Sequence, residues 1–312
     1  MVGGLGEAVP TGVPGRSAIE SPRRVADVLA DVIDPLRCPH CGGALELDGG
    51  VARCPAGHSF DVARQGYLNL LPGDARTGSA DTAAMVRARV EFLVAGHYAP
   101  IAAAVADAAV EAAGAPDRVI DLGAGTGYYL AAVLDRLPAA QGLALDVSKH
   151  ALRVAARAHP RIGAVGCDAW AGLPVRDAAA GLAINVFAPR DPAELHRVLA
   201  PGGALVVVTP NPGHLAELVS TVGMLTVQER KRERLAGKLG GLFSPIGETV
   251  VEQRVVLDHT AVAALVAMGP SARHLTEQEV AQRVAALADP LAVTLSVTVA
   301  TYRRAGAGGV RS

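Results

Sequence analysis

Short apolar runs alternate with helical segments from Arg118 to about Pro210, and this alternation restricts the fold more than any other feature of the sequence. Each run has the length of a strand, and each intervening segment has the length and apolar spacing of a helix. Strands that alternate with helices form β–α–β crossovers and lie parallel in one sheet. The sequence therefore predicts an α/β fold with a parallel sheet, and the strand-bearing runs are RVIDLGAG, AQGLALDVS, RIGAVGCDA, GLAINVFAP and GALVVVTP.

A glycine-rich loop follows the first of these strands and opens a helix. After Asp121 the glycines Gly123, Gly125 and Gly127 have the spacing G-x-G-x-G. Glycine permits a ligand to approach the backbone closely, and a helix amino terminus presents free amide groups. Tyr128 occupies the place of the third glycine in the dinucleotide pattern G-x-G-x-x-G, which argues against a dinucleotide ligand.

Acidic residues lie at the ends of the first three strands. Asp146 comes about 20 residues after the loop, where a carboxylate can bind both hydroxyls of a ribose. Asp168 ends the third strand, where it can bind an adenine amino group, and Asp121 lies where a ligand ammonium could bind. This order is the layout of S-adenosylmethionine (SAM) methyltransferases. The alternatives are a parallel-sheet protein whose acids only cap helices, and a nicotinamide enzyme.

Three of the four cysteines are clustered with a histidine near the amino terminus. Cys38, Cys41, Cys54 and His58 have the spacing C-x2-C-x12-C-x3-H. Two such pairs can close a tetrahedral Cys3His shell, and thiolates with one imidazole favour Zn²⁺. Because four protein ligands leave no open position, we expect one structural zinc ion. Cysteines clustered by chance and a redox C-x-x-C pair are the alternatives.

Composition excludes several classes of protein. Half of the residues are hydrophobic, the formal net charge is -1 and aromatic residues make up 3% of the chain. These values exclude a fully disordered chain and a globally basic nucleic-acid binder. The sequence has no run long enough for a membrane span and no secretory signal, so we expect a cytoplasmic protein without membrane association.

The texture of the chain suggests five units. The expected units are a flexible extension with a short amphipathic helix (1–34), a zinc ribbon (35–75), a helical connector (76–115), a SAM-dependent methyltransferase domain with an insertion at about 211–248 (116–305), and a tail (306–312). We expect the connector to consist of two helices that break near Gly96.

Several motifs are distributed along the chain from about Leu36 to about Arg303, namely C-P-x-C…C-x-x-x-H-x-F-D-x-A-x-x-G-Y-x-N-L-L-P, M-x-x-A-R, A-G-H-Y-x-P, D-L-G-x-G-x-G-Y-Y, L-D-V-S-K, P-G-G and T-P-x-P-x-H-L-x-E-L. Through these motifs the sequence resembles the RlmA type of 23S rRNA (guanine-N1)-methyltransferases. These strings lean towards the tylosin-resistance (macrolide-resistance) subtype. Asn185 departs from members that have arginine two residues before the aromatic residue of the fourth strand end.

The resemblance implies a Rossmann-like SAM-binding domain, a zinc ribbon that helps to recognise 23S rRNA, and a homodimer. It implies SAM contacts at Tyr98, Gly125, Thr126 and His214. The implied reaction is methyl transfer to N1 of one guanine in an rRNA hairpin near the peptide tunnel.

Catalytic residues are less well defined than the SAM and zinc residues. The pocket should lie at the carboxyl ends of strands one and four, where the strand order reverses. The fourth strand end carries three candidates for catalytic residues, Asn185, Phe187 and Arg190. For each of them a purely structural role is an equal alternative. Phe187 could stack on the base, and Arg190 could polarise O6 or bind phosphate. His214 is the nearest candidate for a general base, although its implied role is in the SAM site.

Two groups of basic residues are candidates for RNA contacts. The first group comprises Arg230, Lys231, Arg232, Arg234 and Lys238. It has two acidic neighbours, and a solvated helix face is an equal alternative for it. The second surrounds the ribbon and comprises Arg37, Arg53, Arg64 and Arg76. Two other functions remain open, namely a SAM methyltransferase for a small natural product and a zinc-dependent binding module with a degenerate SAM fold.

Overall fold

A computed structural model describes residues 25–73, 75, 78, 80–222, 239–269, 272 and 274–306. The amino-terminal part contains two helices that follow four short strands and one helix that precedes them. These elements are α1 (Val25–Val32), β1 (Glu46–Asp48), β2 (Val51–Arg53), β3 (Ser59–Asp61), β4 (Tyr67–Asn69), α2 (Ala83–Val94) and α3 (Ala99–Ala113). Gly96, with φ 83°, separates α2 from α3, so the expected break between two helices is present.

The remaining described elements mostly alternate as the sequence predicted, except that the strands at 162–166 and 180–186 follow each other without a helix and two helices precede the last strand. They are β5 (Arg118–Leu122), α4 (Tyr128–Arg136), β6 (Gln141–Asp146), α5 (Lys149–Ala155), β7 (Ile162–Gly166), β8 (Ala180–Val186), α6 (Pro192–Val198), β9 (Leu199–Pro210), α7 (Ala216–Val222), β10 (Phe243–Leu257), α8 (His259–Ala267), α9 (Glu277–Ala285) and β11 (Leu291–Arg304).

Eight of the strands form one sheet in the order β10-β11-β9-β8-β5-β6-β7-β4. From β9 to β4 every neighbouring pair is parallel, whereas β11 pairs antiparallel with both β9 and β10. The predicted α/β fold is confirmed. The strand order reverses at β5, because β6 lies on one side of it and β8 on the other.

Both faces of the sheet are covered, which explains why its strands are apolar throughout. Successive residues point to opposite faces, so Val119 joins one core cluster and Ile120 joins the other. The first cluster includes side chains of α3, α4 and α8, and the second includes side chains of α1 and α6. Every residue of β7 is buried, as expected for a parallel strand between two helical layers.

The cysteine-bearing segment is continuous with this sheet. Strands β1, β2 and β3 form a separate three-stranded antiparallel sheet. The next strand, β4, leaves that small sheet and pairs in parallel with β7, with Leu68 opposite Val165. Sequence analysis did not predict this pairing, because a strand of three residues carries too little pattern to assign its partner.

Helix α1 packs against the same edge of the sheet. Leu29 and Val32 are buried, and Val32 contacts the backbone of β7 at Gly163. Among the described residues, no single helix is long and apolar enough to cross a membrane. Only α2 and α3 taken together, with a bend of 82° between them, meet that criterion, and they do so by length and composition alone.

We predict that Gly163→Ala destabilises the fold, because its Cβ would lie 2.1 Å from Cγ2 of the buried Val32. Overpacking of this kind costs about 1–3 kcal/mol. Chemical denaturation should show this loss in the free energy of unfolding. Gly247→Ala is the matched control, since a Cβ on this strand glycine has no neighbour within 4 Å. Equal effects of the two substitutions would contradict the packing of α1 on β7.

Candidate active site and metal cluster

A cavity of about 900 Å³ opens at the carboxyl ends of the central parallel strands. Its floor is formed by the residues that follow β5, β6, β7 and β8, and one side is formed by α2 and α8. This is the position predicted from the sequence, because open α/β sheets bind ligands where the strand order reverses.

The glycine loop allows the ends of β5 and β8 to approach each other. Gly123 has φ 74°, and a Cβ at this position would lie 2.4 Å from Cβ of Ala188 in the loop after β8. A larger residue would therefore push the two loops apart. Gly123, Gly125, Thr126 and the start of α4 line the cavity, with their backbone exposed to a ligand.

Asp121 is a buried carboxylate in the floor of this cavity. The residue is 1% exposed, and its Oδ2 has no hydrogen-bond partner among the described residues. Burial raises the pKa of Asp121 well above its ordinary value, and the nearby charge of Asp146 raises it further. An unpaired buried carboxylate oxygen is costly, so this atom is suited to a cationic ligand group.

Two more acids lie at the carboxyl ends of the next two strands, Asp146 as the last residue of β6 and Asp168 two residues after β7. Asp146 accepts hydrogen bonds from the backbone amides of Gly125 (2.8 Å) and Ser148 (2.7 Å), which fix the orientation of its carboxylate beside the glycine loop. Asp168 accepts a hydrogen bond of 2.9 Å from the backbone amide of Trp170. All three acids predicted from the sequence thus line one cavity.

Tyr98 and His214 contact each other in the lining of the cavity although they are far apart in sequence. The Ser296 amide donates to Nδ1 of His214 at 3.2 Å, and burial lowers the pKa of His214 to about 4. The neutral ring therefore carries its proton on Nε2, which lies 3.4 Å from Oη of Tyr98. Neither ring nitrogen retains a free lone pair, so His214 in this arrangement cannot act as a general base.

Four rings form one side of the cavity. The centroid of Phe187 lies 6.0 Å from that of His214, 6.3 Å from Tyr98 and 6.5 Å from Tyr129. Phe187 is 39% exposed and has φ 56°, a conformation that is strained for a large side chain. In this conformation the ring lines the cavity, where a flat group could stack on it.

Asn185 and Arg190 hold the loop that carries Phe187. The fully buried Asn185 amide donates to the backbone oxygens of Leu122 (2.8 Å) and Pro189 (3.3 Å), and Arg190 donates to its side-chain oxygen. Both polar atoms of the Asn185 side chain are therefore hydrogen-bonded to protein groups. Of the three residues considered as catalytic candidates, only Phe187 lines the cavity.

The cysteine cluster has the dimensions of a zinc site. The ligand atoms of Cys38, Cys41, Cys54 and His58 all lie within 4.8 Å of one another. Sγ of Cys41 and Sγ of Cys54 are 3.6 Å apart, and Nδ1 of His58 lies 3.4 Å from Sγ of Cys54. Tetrahedral Zn²⁺ with Zn–S bonds of about 2.3 Å needs sulfurs about 3.7 Å apart, so the four residues fit this ion.

Comparisons with known proteins agree with both sites. Residues 36–78 match the zinc-ribbon family described as "RlmA, N-terminal", and residues 119–203 match a methyltransferase domain family. The 23S rRNA (guanine(748)-N(1))-methyltransferase of Streptomyces fradiae is 50% identical, over 88% of this chain and 98% of that protein. The chain belongs to the 23S rRNA (guanine-N1)-methyltransferase family.

Two other relatives differ in how much of the chain they share. A Micromonospora griseorubida protein with a provisional 23S rRNA (guanine-N(1)-)-methyltransferase name is 51% identical over 88% of this chain and 98% of its own length. The malonyl-[acyl-carrier protein] O-methyltransferase of Methylococcus capsulatus is 33% identical over 51% of this chain and 56% of its own length. The predicted SAM-dependent methyltransferase domain and zinc ribbon are thus confirmed, with one Cys3His site for a structural zinc ion.

Several residues of the cavity were not assigned a role from the sequence. Arg89, Tyr129 and Trp170 line it, together with apolar side chains of α2 and α8. Arg89 belongs to the M-x-x-A-R string, but that string alone does not show that α2 crosses the cavity. Trp170 follows Asp168 by two residues and is 66% exposed, so only its position at the rim indicates a function.

The basic groups proposed for RNA contacts are only partly described. Arg230, Lys231, Arg232, Arg234 and Lys238 lie outside the described residues, as does Arg76. In the ribbon, Arg53 pairs with Asp48 at 3.1 Å, and Arg37 lies 3.9 Å from Asp177. Arg64 is exposed. Exposed pairs of this kind are weak and can exchange for phosphate contacts.

We predict that the purified protein contains one zinc ion per chain and that Cys41→Ser lowers the zinc content and the melting temperature. The reason is that a tetrahedral site with three ligands loses most of its affinity, and a ribbon this small depends on the metal. Elemental analysis and calorimetry measure both quantities. Cys167→Ser is the control, because this cysteine is outside the cluster. Unchanged zinc content in Cys41→Ser would exclude Cys41 as a ligand.

Proposed function

We propose that this enzyme transfers the methyl group of SAM to N1 of a guanine in 23S rRNA, at the position equivalent to guanine 748 of the Streptomyces fradiae enzyme's substrate. The observation that carries the proposal is the 50% identity to that enzyme over 98% of its length. The cavity supports it, since its acids, glycine loop and rings provide places for a cationic donor and a flat base.

We propose that SAM lies along the cavity floor. Asp146 would bind the ribose hydroxyls and Asp168 the adenine amino group, while the unpaired oxygen of Asp121 would accept a hydrogen bond from the ammonium group. The backbone of Gly123, Gly125, Thr126 and Gly127 would pack against the donor. When bound, SAM supplies an activated methyl group on a sulfonium leaving group.

Tyr98 and His214 complete the proposed donor site. Because Nε2 of His214 donates to Oη of Tyr98, the tyrosine hydroxyl proton is left free to point into the cavity. Their rings line the cavity together with those of Tyr129 and Phe187. Aromatic faces attract cations, so Tyr98 and Tyr129 suit the sulfonium, whereas the ring of Phe187 is proposed for the base.

The target guanine must leave its stack to reach the cavity. Phe187 is the residue on which we propose that it stacks, because its ring is exposed and its backbone is fixed through Asn185. Guanine N1 carries a proton at neutral pH that must leave as the new bond forms. Because His214 is committed to two hydrogen bonds, this proton passes to solvent water, while the electron pair of the broken sulfur–methyl bond stays on sulfur. The role of this chain is then alignment of N1 with the methyl group.

We propose that the zinc ribbon positions the rRNA beside this site. Residues of the ribbon (Arg37, Cys38, Pro39) and the loop after Asp168 together line a second cavity of about 240 Å³. An RNA hairpin bound to the ribbon would therefore lie next to the adenine end of the donor site. The same proposal includes the division of the chain into the five units given above, a homodimeric assembly, and a location in the cytoplasm, where ribosomes are found.

A small natural product is the competing substrate class. The malonyl carrier-protein relative shows that the methyltransferase fold serves other substrates, but it aligns with only 51% of this chain. The match of residues 36–78 to the RlmA zinc ribbon favours the ribosomal substrate.

We predict that 23S rRNA from a host expressing this chain stops reverse transcriptase at the base equivalent to guanine 748, because an N1 methyl group blocks pairing. Primer extension detects the stop, and the same strain should tolerate a higher concentration of tylosin. Expression of Asp146→Asn is the control, since loss of the ribose contact should remove the stop. A wild-type strain without any stop, or label from tritiated SAM incorporated only into small molecules, would refute the proposal.

We predict that Phe187→Leu lowers kcat/KM for rRNA methylation about tenfold to hundredfold while the affinity for SAM changes little. Base–aromatic stacking contributes about 1–3 kcal/mol, which corresponds to that range. Single-turnover assays and SAM titrations separate the two quantities. Phe187→Tyr keeps the ring and should retain activity. If Leu and Tyr behave alike, the ring does not stack on the base.

A further inference from the structure

Arg89 is the only lysine or arginine among the described residues that line the cavity. It extends from the middle of α2 across the opening towards the glycine loop. Its side chain is 28% exposed and lines the cavity, so it is accessible to a ligand there. Its positive charge lowers the pKa values of Tyr98, Tyr129 and Asp146 against the larger effect of burial, so the guanidinium lies near all three.

The guanidinium is held firmly on one side and open on the other. Nη2 lies 2.8 Å from Oδ2 of Asp81 and donates at 2.9 Å to the backbone oxygen of Met268, which joins α2 to the end of α8. Nη1 donates no hydrogen bond to any described protein group and lies 3.0 Å from where a Cβ on Gly125 would be. The missing side chain at Gly125 therefore leaves room for the guanidinium directly above the loop.

The charges of SAM match the charges of the cavity in only one orientation. The donor carries two cationic groups, a sulfonium and an ammonium, and one anionic group, the α-carboxylate. Asp121 offers an unpaired oxygen for the ammonium, while the other acids would repel the carboxylate. A guanidinium whose planar fork matches a carboxylate is the group suited to the remaining charge.

We propose that Arg89 binds the α-carboxylate of SAM through Nη1, above Gly125, and so sets the position of the donor's amino-acid end. The inference rests on the proposed SAM site and adds a donor-binding residue from α2. Since Nη2 stays bound to Asp81 and Met268, the guanidinium is oriented before the donor arrives, and less side-chain entropy is lost on binding.

The test compares SAM with decarboxylated SAM, which lacks only the carboxylate, by calorimetric titration of the zinc-loaded protein. A charge-assisted hydrogen bond contributes enough for about a tenfold to hundredfold difference in affinity. We expect wild type to bind SAM tighter by that factor. Arg89→Gln should lose this preference, weakening SAM while leaving the decarboxylated compound unchanged. Arg87→Gln is the matched control, because Arg87 is exposed on the same helix and does not line the cavity.

A second variant separates direct contact from a general electrostatic effect. Arg89→Lys keeps the positive charge but loses the planar fork. Direct contact through the fork predicts that Lys loses most of the preference for SAM. Full preference in Arg89→Lys would overturn the inference, because the charge alone would then explain the result. Scanning calorimetry shows whether each variant is folded. If Arg89→Gln is unstable, the relative affinities of wild type and Arg89→Lys for SAM and decarboxylated SAM still test the inference.

The remaining outcomes separate this inference from the proposed function. If wild type binds SAM and methylates rRNA but Arg89→Gln weakens both ligands equally, Arg89 only tethers α2 to α8 and the inference fails alone. Equal affinity of wild type for the two ligands also overturns it alone. If wild type binds neither ligand, the proposed SAM-dependent function fails with it.

Discussion

The buried carboxylate of Asp121 is the constraint around which the site is arranged. Removing a carboxylate from water is costly, and this one retains an oxygen without a partner among the described residues. It lies at the end of β5, between the neighbouring strands β6 and β8, so the surrounding sheet keeps water away from it. The fold thus maintains an unfavourable group at the point where a cationic ligand can compensate for it.

The same strand ends also fix the aromatic side of the cavity. Gly123 lets the loop after β8 pack against the loop after β5, and Asn185 joins these loops through the Leu122 oxygen. This contact holds the backbone of Phe187 at a positive φ, which a residue with a large side chain rarely adopts. The acids and the rings are therefore coupled through a few backbone atoms, and a shift of one loop would displace both.

The metal cluster is connected to the large cavity by the polypeptide chain and by the pairing of strands in the sheet. The ribbon continues into β4, which pairs with β7, and Asp168 follows the end of β7. A zinc ion in the cluster would thereby support the edge of the sheet next to Asp168. The loop after Asp168 and the ribbon line the same small cavity, so the proposed rRNA-recognition and donor sites are adjacent in space.

The sequence alone determined the parts that depend on local pattern. Alternating apolar runs gave the parallel sheet, cysteine and histidine spacing gave the zinc ligands, and the strand ends gave Asp121, Asp146 and Asp168, because these signals lie within short segments. Tertiary structure alone decided the parts that depend on long-range contacts. The partner of β4, the crossing of α2 by which Arg89 reaches the glycine loop, and the hydrogen bonds that commit His214 and Asn185 all join residues distant in sequence. No local pattern encodes such contacts, since they arise only when separate layers pack together.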